Sequence, residues 1–288
     1  MEEDEECCPH EAMFLVLGYL PVYELLFMSQ VCKSLRDAVN NDVLPWLNLL
    51  VERPLSSRLS DETLINITSK ANGNLKTLCL INCIHITNHG LQTVVAQNPH
   101  ITKLHIPGCS SITPEGVVAA VTTLSQGSNC LRSLRINGIY NLQREHLHTL
   151  ASCLNMNNNL PLEPLLYHER QRERERIVID LEECPKCYEV REVYDCPKGG
   201  CKCRACSFCI PRCENCGGCI ASEEVEEGAC SDILCLNCWL NEHPKCSFCN
   251  RPYCKQHTSW WHTSSPSTFI CRVCQENSSG YTYMHEFL

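Results

Sequence analysis

The chain has 288 residues, a formal net charge of −9 at pH 7 and 26 cysteines. Its length accommodates two domains, or more if small metal-held modules are present. The negative charge argues against a general nucleic-acid binder, because neutralising phosphates requires a basic surface. The acidic opening MEEDEE does not resemble a secretory signal, and the apolar run from Ala12 to Met28 is interrupted by Pro21 and Glu24 and is too short to span a membrane. We therefore expect a soluble intracellular protein, located in the nucleus and/or the cytoplasm.

The first segment with a clear pattern is a pair of short apolar helices. A helix over 11–19 would be apolar on nearly every face, and Pro21 must end it because the residue before a proline is displaced from helical geometry. The next segment has apolar residues three or four positions apart, at Leu25, Met28, Cys32, Leu35 and Val39. Two or three helices of this kind expose more apolar surface than about 40 residues can bury alone, which indicates a docking module.

These residues resemble the F-box, the motif by which substrate receptors bind the Skp-type adaptor of cullin-based ubiquitin ligases. The resemblance lies in the order Pro9, Leu20-Pro21, Leu25-Leu26, Val31-Cys32, Leu35. Cys8 replaces the usual leucine and Leu35 a frequent tryptophan, and both replacements are apolar. An ordinary helical hairpin of a globular core is the alternative. The resemblance implies that the adaptor-binding residues are Pro9, Phe14, Leu17, Leu20, Pro21, Leu25, Leu26, Val31, Cys32 and Leu35.

A repeat follows the helical module. Its copies begin at Leu75, Ile101 and Leu131, which are 26 and 30 residues apart, and the apolar positions of the first two copies superimpose. A period of this length, with a short strand and a helix in each unit, predicts a solenoid of stacked units. Leu59-Ser60 followed by Thr63-Leu64 marks the end of a degenerate leading copy.

Within each unit, the leucines of the strand should point inward and a threonine should cap the helix. Leu78 and Leu80 are the inward residues of the first full copy, Cys83 is small and buried at the turn, and Thr87 and Thr113 are the expected N-caps. With its cysteine at the ninth position, the repeat resembles the cysteine-containing leucine-rich repeats found after F-boxes. The resemblance implies a curved substrate-holding surface, and a short rigid spacer is the alternative.

The polar run 155–159 and the prolines at 161 and 164 indicate a domain boundary. After it, residues 169–176 alternate charge signs at helical spacing. This pattern predicts a solvated helix with ion pairs. A basic contact strip for an acidic partner is the alternative, but the glutamates nearly cancel the charge of the arginines.

Cysteine-rich sequence then begins abruptly, and eighteen cysteines lie between Cys184 and Cys274. Many form Cys-x-x-Cys pairs. In a reducing compartment such pairs indicate metal ligands, because both sulfurs of one pair can reach one zinc ion about 2.3 Å away and a second pair completes a tetrahedron. Few other apolar residues are present, so metal should supply most of the folding energy.

We expect about four structural zinc ions, held in closed four-ligand sites. One possible partition pairs Cys184/Cys187 with Cys206/Cys209, Cys196/Cys201 with Cys213/Cys216, Cys235/Cys238 with Cys254/His257, and Cys246/Cys249 with Cys271/Cys274. Cys203, Cys219, Cys230 and His243 could each replace one of these ligands. The last two sites would interleave as a cross-brace.

The fold class expected is therefore α/β and multi-domain: a helical F-box, a short leucine-rich-repeat α/β solenoid and a small, irregular, zinc-stabilised region. Similarity to F-box/leucine-rich-repeat proteins, including a plant Skp-interacting type with a cysteine-rich tail, implies a non-catalytic receptor. It would present an unknown protein substrate to a Skp-type adaptor, cullin and RING subunit for ubiquitination and proteasomal degradation. The alternatives are a self-sufficient RING-like ligase and a zinc-finger reader of a protein or lipid, and no nucleic-acid or membrane partner is expected.

The predicted divisions are an acidic tail at 1–8, the F-box at 9–50, the repeats at 51–155, a linker with a charged helix at 156–180, the cysteine-rich region at 181–276 and a C-terminal tail at 277–288.

Overall fold

The computed structural model describes residues 10–127, 131–154, 165–169, 178–221, 224–242, 244–260 and 269–276. These residues form two compact units. The first unit contains 10–127, 131–154, 178–183 and 189–191, and the second contains the remainder. The predicted tails at 1–8 and 277–288, and nearly all of the predicted charged helix at 169–176, lie outside the described residues. No helix among the described residues is long and apolar enough to cross a membrane.

The first unit begins with three short helices, α1 (Glu11–Val16), α2 (Val22–Met28) and α3 (Lys33–Asn41). A 3-10 turn, Leu17–Tyr19, extends α1, and Pro21 separates it from α2. Leu25 of α2 and Leu35 of α3 are fully buried. The prediction of two or three short helices interrupted at Pro21 is confirmed.

Four strand–helix units follow and form what we call the repeat array. Their elements are β1 (Asn48–Val51), α4 (Asp61–Ser69), β2 (Thr77–Leu80), α5 (Asn88–Gln97), β3 (Lys103–His105), α6 (Pro114–Ser125), β4 (Ser133–Arg135) and α7 (Arg144–Cys153). The four strands are parallel neighbours in chain order. Two 3-10 turns, Leu44–Trp46 and Leu55–Ser57, flank β1.

A ladder of leucines forms the centre of the array. The strand register places Leu49, Leu78, Leu104 and Leu134 side by side, and all four are buried. Each unit alone would expose its leucine face, so stacking of neighbours is what removes that face from water. Cys83 is buried and Thr87 caps α5, as the sequence predicts.

Two predicted boundaries differ from those of the structure. The boundary between residues 50 and 51 falls within β1, because the leading repeat copy has its own strand, which pairs with β2. Residues 178–180, which were predicted to be linker, lie beside β4 in the first unit, where Ile179 forms a parallel bridge with Leu134. The Asp180 carboxylate accepts hydrogen bonds from the backbone N–H groups of Ile136 (2.9 Å) and Asn137 (3.1 Å). These residues therefore supply the partners that a further strand would have given to β4.

A small antiparallel pair, β5 (Glu182–Glu183) and β6 (Val190–Arg191), completes the described part of the first unit. The described part of the second unit has little regular structure. It includes the antiparallel pair β7 (Val225–Glu227) and β8 (Ile233–Cys235), the helix α8 (Leu236–Asn241), helical residues at 272–276, and 3-10 segments at Tyr167–Glu169 and Lys255–Trp260. Its buried apolar residues form three small clusters, each built around cysteines. A conventional core of this size cannot hold such a chain by itself.

Candidate functional site

The three N-terminal helices expose an unusual number of large apolar side chains. We call these the exposed apolar set: Met13, Leu15, Val16, Tyr19, Tyr23, Phe27, Val31 and Leu44. Leu15 is 75% exposed, Tyr19 89% and Phe27 61%. By contrast, the described residues from 51 to 154 expose only two large apolar side chains, Ile84 and Tyr140. Such a concentration in one short segment is typical of a surface that another protein covers.

The burial of the core explains why this set points outward. Leu17, Leu25 and Leu35 fill the interior between the helices, and all three are at most 1% exposed. Tyr23 and Phe27 lie four residues apart on α2 and so share one helix face. The helices thus bury one stripe within this chain and leave a second one in water.

The predicted adaptor-binding residues divide between these two stripes. Leu17, Leu25 and Leu35 are core residues and have no surface to offer, which corrects their assignment as contacts. Val31 is exposed, and half-buried positions are occupied by Phe14, Leu20, Pro21, Leu26 and Cys32. Pro9 lies outside the described residues. A three-to-four spacing does not tell which stripe faces the partner, so sequence reasoning missed the exposed residues Leu15, Tyr19 and Phe27.

Among the described residues of the second unit, five groups of four side chains converge, each with its ligand atoms within 4.8 Å of one another. Group 1 is Cys184, Cys187, Cys206, Cys209; group 2 is Cys196, Cys201, Cys203, Cys219; group 3 is Cys213, Cys216, Cys235, Cys238; group 4 is Cys230, Asp232, Cys254, His257; and group 5 is Cys246, Cys249, Cys271, Cys274. Together they use all eighteen cysteines of the tail. Every cysteine that the structure describes is a free thiol. Each group could therefore hold a metal ion.

The spacing of the sulfurs fits a tetrahedral thiolate site. Sγ–Sγ distances are 3.9 Å between Cys184 and Cys209 and 3.8 Å between Cys249 and Cys271. A tetrahedron with metal–sulfur bonds of about 2.3 Å has edges of about 3.8 Å. The thiols thus stand where the ligands of one ion of zinc size would stand.

Tight turns place the cysteines of each pair on the same side of the chain. In groups 1, 3 and 5 the first cysteine is followed by a one-turn hydrogen bond between its backbone carbonyl and the backbone N–H four residues later. The donors of these N–H groups are Tyr188, Gly217 and Asn250. These three residues have φ between 56° and 69°, the left-handed region that glycine and asparagine tolerate best. A further N–H comes from the other half of the group, where Cys206 donates to Cys184 Sγ at 3.4 Å.

These donors prepare one thiol for ionisation. Burial raises the pKa of Cys184, but the N–H groups of Cys206, Cys187 and Lys186 outweigh burial and lower that pKa to about 6. Burial likewise raises the pKa of Cys196 and Cys246, but hydrogen bonds outweigh it and lower the pKa of each to about 6. The hydrogen bond with Cys187, together with burial, raises the pKa of Cys209 to about 12. One thiolate therefore forms readily, and its negative charge disfavours ionisation of the neighbouring thiols. A bound dication would remove this repulsion.

Of the four predicted pairings of cysteine turns, the structure brings two together and forms other groups in place of two. Cys184/Cys187 do meet Cys206/Cys209, and Cys246/Cys249 meet Cys271/Cys274. In contrast, Cys213/Cys216 meet Cys235/Cys238, because β8 leads directly into α8 and brings both of the latter cysteines to the 213–216 turn. Cys196/Cys201 are instead completed by Cys203 and Cys219, and Cys254/His257 by Cys230 and Asp232. The structure thus forms five groups where four sites were expected, and His243 lies outside the described residues.

Successive groups interlock along the chain. The two halves of each group enclose part of the next, so group 1 spans the start of group 2, and group 2 spans the start of group 3. The same relation continues through groups 4 and 5. The interleaving predicted for the last two sites therefore extends to all five groups.

Comparison with known proteins identifies the family. A model of the F-box domain matches residues 6–47, which include α1 to α3. A model of the C-terminal domain of the At3g27290 F-box protein matches residues 180–248, which include groups 1 to 3. The chain is 42% identical over 288 residues to F-box protein SKIP28 of Arabidopsis thaliana, covering 95% of this chain and 92% of that protein. The chain belongs to the F-box protein family.

Two further F-box proteins of Arabidopsis thaliana are similar to this one. F-box protein SKIP14 is 35% identical over 251 residues, which is 82% of this chain and 55% of SKIP14. F-box protein At3g27290 is 33% identical over 253 residues, which is 80% of this chain and 65% of that protein. F-box proteins are adaptors and substrate receptors of SCF ubiquitin ligases and are not catalytic. This F-box protein is accordingly a non-catalytic component, and a self-sufficient RING-like ligase is set aside.

Proposed function

We propose that this F-box protein is the substrate-recognition subunit of a Skp–cullin–F-box ubiquitin ligase. Its exposed apolar set docks a Skp-type adaptor, and through that adaptor the cullin and the RING subunit. The protein then presents a substrate for ubiquitination and proteasomal degradation. The observation that carries this proposal is the concentration of eight exposed large apolar side chains in residues 13–44.

The energetics of docking favour a few of these side chains as anchors. Burying one large apolar side chain contributes about 1.5–3 kcal/mol, whereas association costs at least about 4 kcal/mol in lost freedom. Two or three well-buried anchors are therefore needed before binding becomes favourable. Leu15, Tyr19 and Phe27 are the candidates, because they are the most exposed members of the exposed apolar set between residues 13 and 31.

We further propose that the repeat array is a leucine-rich-repeat solenoid. The parallel strands, the leucine ladder and one helix per strand support this assignment. The array either holds part of the substrate or acts as a rigid spacer.

The groups of the second unit are proposed to bind structural zinc. Tetrahedral thiolate geometry, free thiols and the shortage of other core residues support zinc, which four cysteines bind in closed, non-catalytic sites. Free thiols on this scale are also the reason to propose a reducing location, the nucleus and/or the cytoplasm.

Binding of the purified full chain to a purified Skp-type adaptor tests the docking proposal. We expect Leu15→Asp and Phe27→Asp together to weaken binding at least tenfold, because each places a charge in an apolar interface. Tyr140→Asp is the matched control, since Tyr140 is 69% exposed but lies in the repeat array. Wild-type affinity in the folded double variant, or an equal loss in the control, would overturn the proposal. Circular dichroism melting establishes that all three proteins are folded.

A further inference from the structure

Group 4 differs from the other groups in its donors, with two cysteines, one aspartate and one histidine. We propose that Cys230, Asp232, Cys254 and His257 form a fifth zinc site, in which the Asp232 carboxylate is a direct ligand. This inference rests on the proposed zinc binding by the all-cysteine groups and adds a site of different chemistry. Two of its donors lie beyond residue 248, where the match to the family's C-terminal domain ends.

The four donor atoms already converge on one point. Cys254 Sγ lies 3.0 Å from Asp232 Oδ2 and 3.2 Å from His257 Nδ1, and the latter two atoms are 2.7 Å apart. Sulfur, imidazole nitrogen and carboxylate oxygen are all ordinary zinc ligands, at about 2.3 Å, 2.0 Å and 2.1 Å respectively. An ion entering the group would replace the hydrogen bonds between these atoms and move them apart by less than about 1 Å.

The backbone around group 4 repeats the design of the all-cysteine groups. Cys254 N–H donates to Cys230 Sγ at 3.4 Å. The corresponding bonds are from Cys206 to Cys184 at 3.4 Å in group 1, and from Cys271 to Cys246 at 3.3 Å in group 5. In each case the third donor of a group donates its backbone N–H to the sulfur of the first. An isolated Asp–His ion pair would not require this arrangement.

The position of group 4 in the chain gives the site a structural role. Its first half, 230–232, lies between the two halves of group 3, and its second half, 254–257, lies between the two halves of group 5. An ion in group 4 would close a loop that interlocks with both neighbours. Cys254 is fully buried, and Asp232 and His257 are only about a quarter exposed at their side chains, 25% and 27%.

The donor set also predicts the character of the site. Two thiolates and a carboxylate around Zn²⁺ leave a net charge of about −1, whereas four thiolates leave about −2. The carboxylate and imidazole are harder donors than thiolate, so group 4 should favour soft ions such as Cd²⁺ less than its neighbours do.

Native mass spectrometry of the full chain, purified with zinc and no chelator, counts the ions. We expect five zinc ions in the wild type and in Glu227→Ala, an acidic control whose partner Arg251 lies outside the groups, and four in Asp232→Ala. Four ions in the wild type would overturn the fifth site alone. No zinc in the wild type would overturn the proposed zinc binding as a whole. Five ions in Asp232→Ala would exclude the carboxylate as a required ligand.

Cobalt substitution tests direct ligation even where Asp232→Ala fails to fold. Asp232→Cys supplies a third thiolate and gives the Cys₃His set common in structural zinc sites. We expect this variant to retain five zinc ions and, when loaded with Co²⁺ alone, to gain sulfur-to-cobalt charge-transfer absorption over the wild type. Unchanged absorption would show that residue 232 does not touch the ion, and would overturn the assignment.

Discussion

The carboxylate of Asp61, at the start of α4, accepts a 2.9 Å hydrogen bond from the backbone N–H of Thr87, the N-cap of α5. Asn88 makes the same contact one unit later, accepting from Thr113 N–H at 2.9 Å. In both places the capped helix has a glycine at its third position. A Cβ on Gly90 would overlap the Asp61 carboxylate. Neighbouring strand–helix units are therefore linked by a polar side chain, and only a glycine in the second of the two helices leaves room for it.

The first prediction concerns this pairing. Gly90→Ala should destabilise the first unit, because the new methyl group must displace Asp61 from its hydrogen bonds with Thr87. Asp61→Ala alone should cost about 0.5–1.5 kcal/mol for each hydrogen bond lost with Thr87, the usual net value of an intramolecular hydrogen bond. In the Asp61→Ala background Gly90→Ala should cost less than it does in the wild type, because the carboxylate is gone and only the Cβ of residue 61, 2.9 Å from the new methyl group, must still give way. Thermal unfolding of the four proteins gives the coupling free energy, and additive effects would contradict the steric explanation.

The second prediction separates the two stripes of the N-terminal helices. Leu25→Ala should destabilise the first unit by about 2–5 kcal/mol, because it leaves a cavity in a fully packed core. Leu15→Ala should change stability by no more than about 0.5 kcal/mol and act on adaptor binding instead. Urea unfolding monitored by circular dichroism, with adaptor affinity measured on the same samples, distinguishes them. Equal destabilisation by both changes would mean that Leu15 is not a surface residue.

The third prediction concerns metal removal. A strong zinc chelator should abolish amide protection in the described residues from 192 to 276, because the apolar clusters there are small and built around cysteines. Amides of β2 and β3 should keep their protection, since the leucine ladder contains no metal ligand. Hydrogen exchange followed by mass spectrometry gives both readings in one experiment. Retained protection throughout the second unit would show that metal does not stabilise it.

The fourth prediction concerns protons released on zinc binding. An ordinary thiol is protonated at pH 7, so a four-thiol group would release about four protons on binding zinc. With the pKa of Cys184, Cys196 and Cys246 lowered to about 6, one thiol in each of groups 1, 2 and 5 is already ionised, and release falls to about three per ion. A lowered pKa keeps the thiolate down to about pH 6, so below that pH release rises towards four and zinc affinity falls more steeply.

Calorimetric titration of zinc into the metal-free chain, in buffers of different ionisation enthalpy, measures the total number of protons released at each pH. The five groups contain eighteen thiols, so ionisation of at least Cys184, Cys196 and Cys246 beforehand lowers the expected total at pH 7.4 to about fifteen or fewer. A total close to eighteen would contradict the pre-ionised thiols.

The repeat array could be predicted from sequence because its signal is local and periodic. Leu78 and Leu104 occupy the same place in successive copies, and their burial follows from stacking alone. The linking role of Asp61 could not be predicted, because its partner Thr87 is 26 residues away and a single aspartate in a first helical turn has no distinctive pattern.

The cysteine turns were equally predictable, and their pairing was not. Any Cys-x-x-Cys turn can complete any other, so only the folded chain decides that Cys213 meets Cys235 rather than Cys196. One sequence signal for the mixed group does exist. Eighteen cysteines cannot be divided into complete sets of four, so two must share a group with other donors. His257 was predicted as a donor because it follows Cys254 at the spacing of a Cys-x-x-Cys pair, but Asp232 was not predicted.

The segment at 178–180 also has a consequence for how this protein could be lengthened. It occupies the outer edge of β4, and Asp180 uses its side chain where another strand would have used its backbone. A new strand–helix unit could be inserted between β2 and β3 and find matching neighbours on both sides. Adding one after α7 would instead have to displace this segment and leave Ile179, together with the adjoining Leu181, in water. Further units can therefore be inserted within the array, whereas the outer edge of its last strand, β4, is already covered.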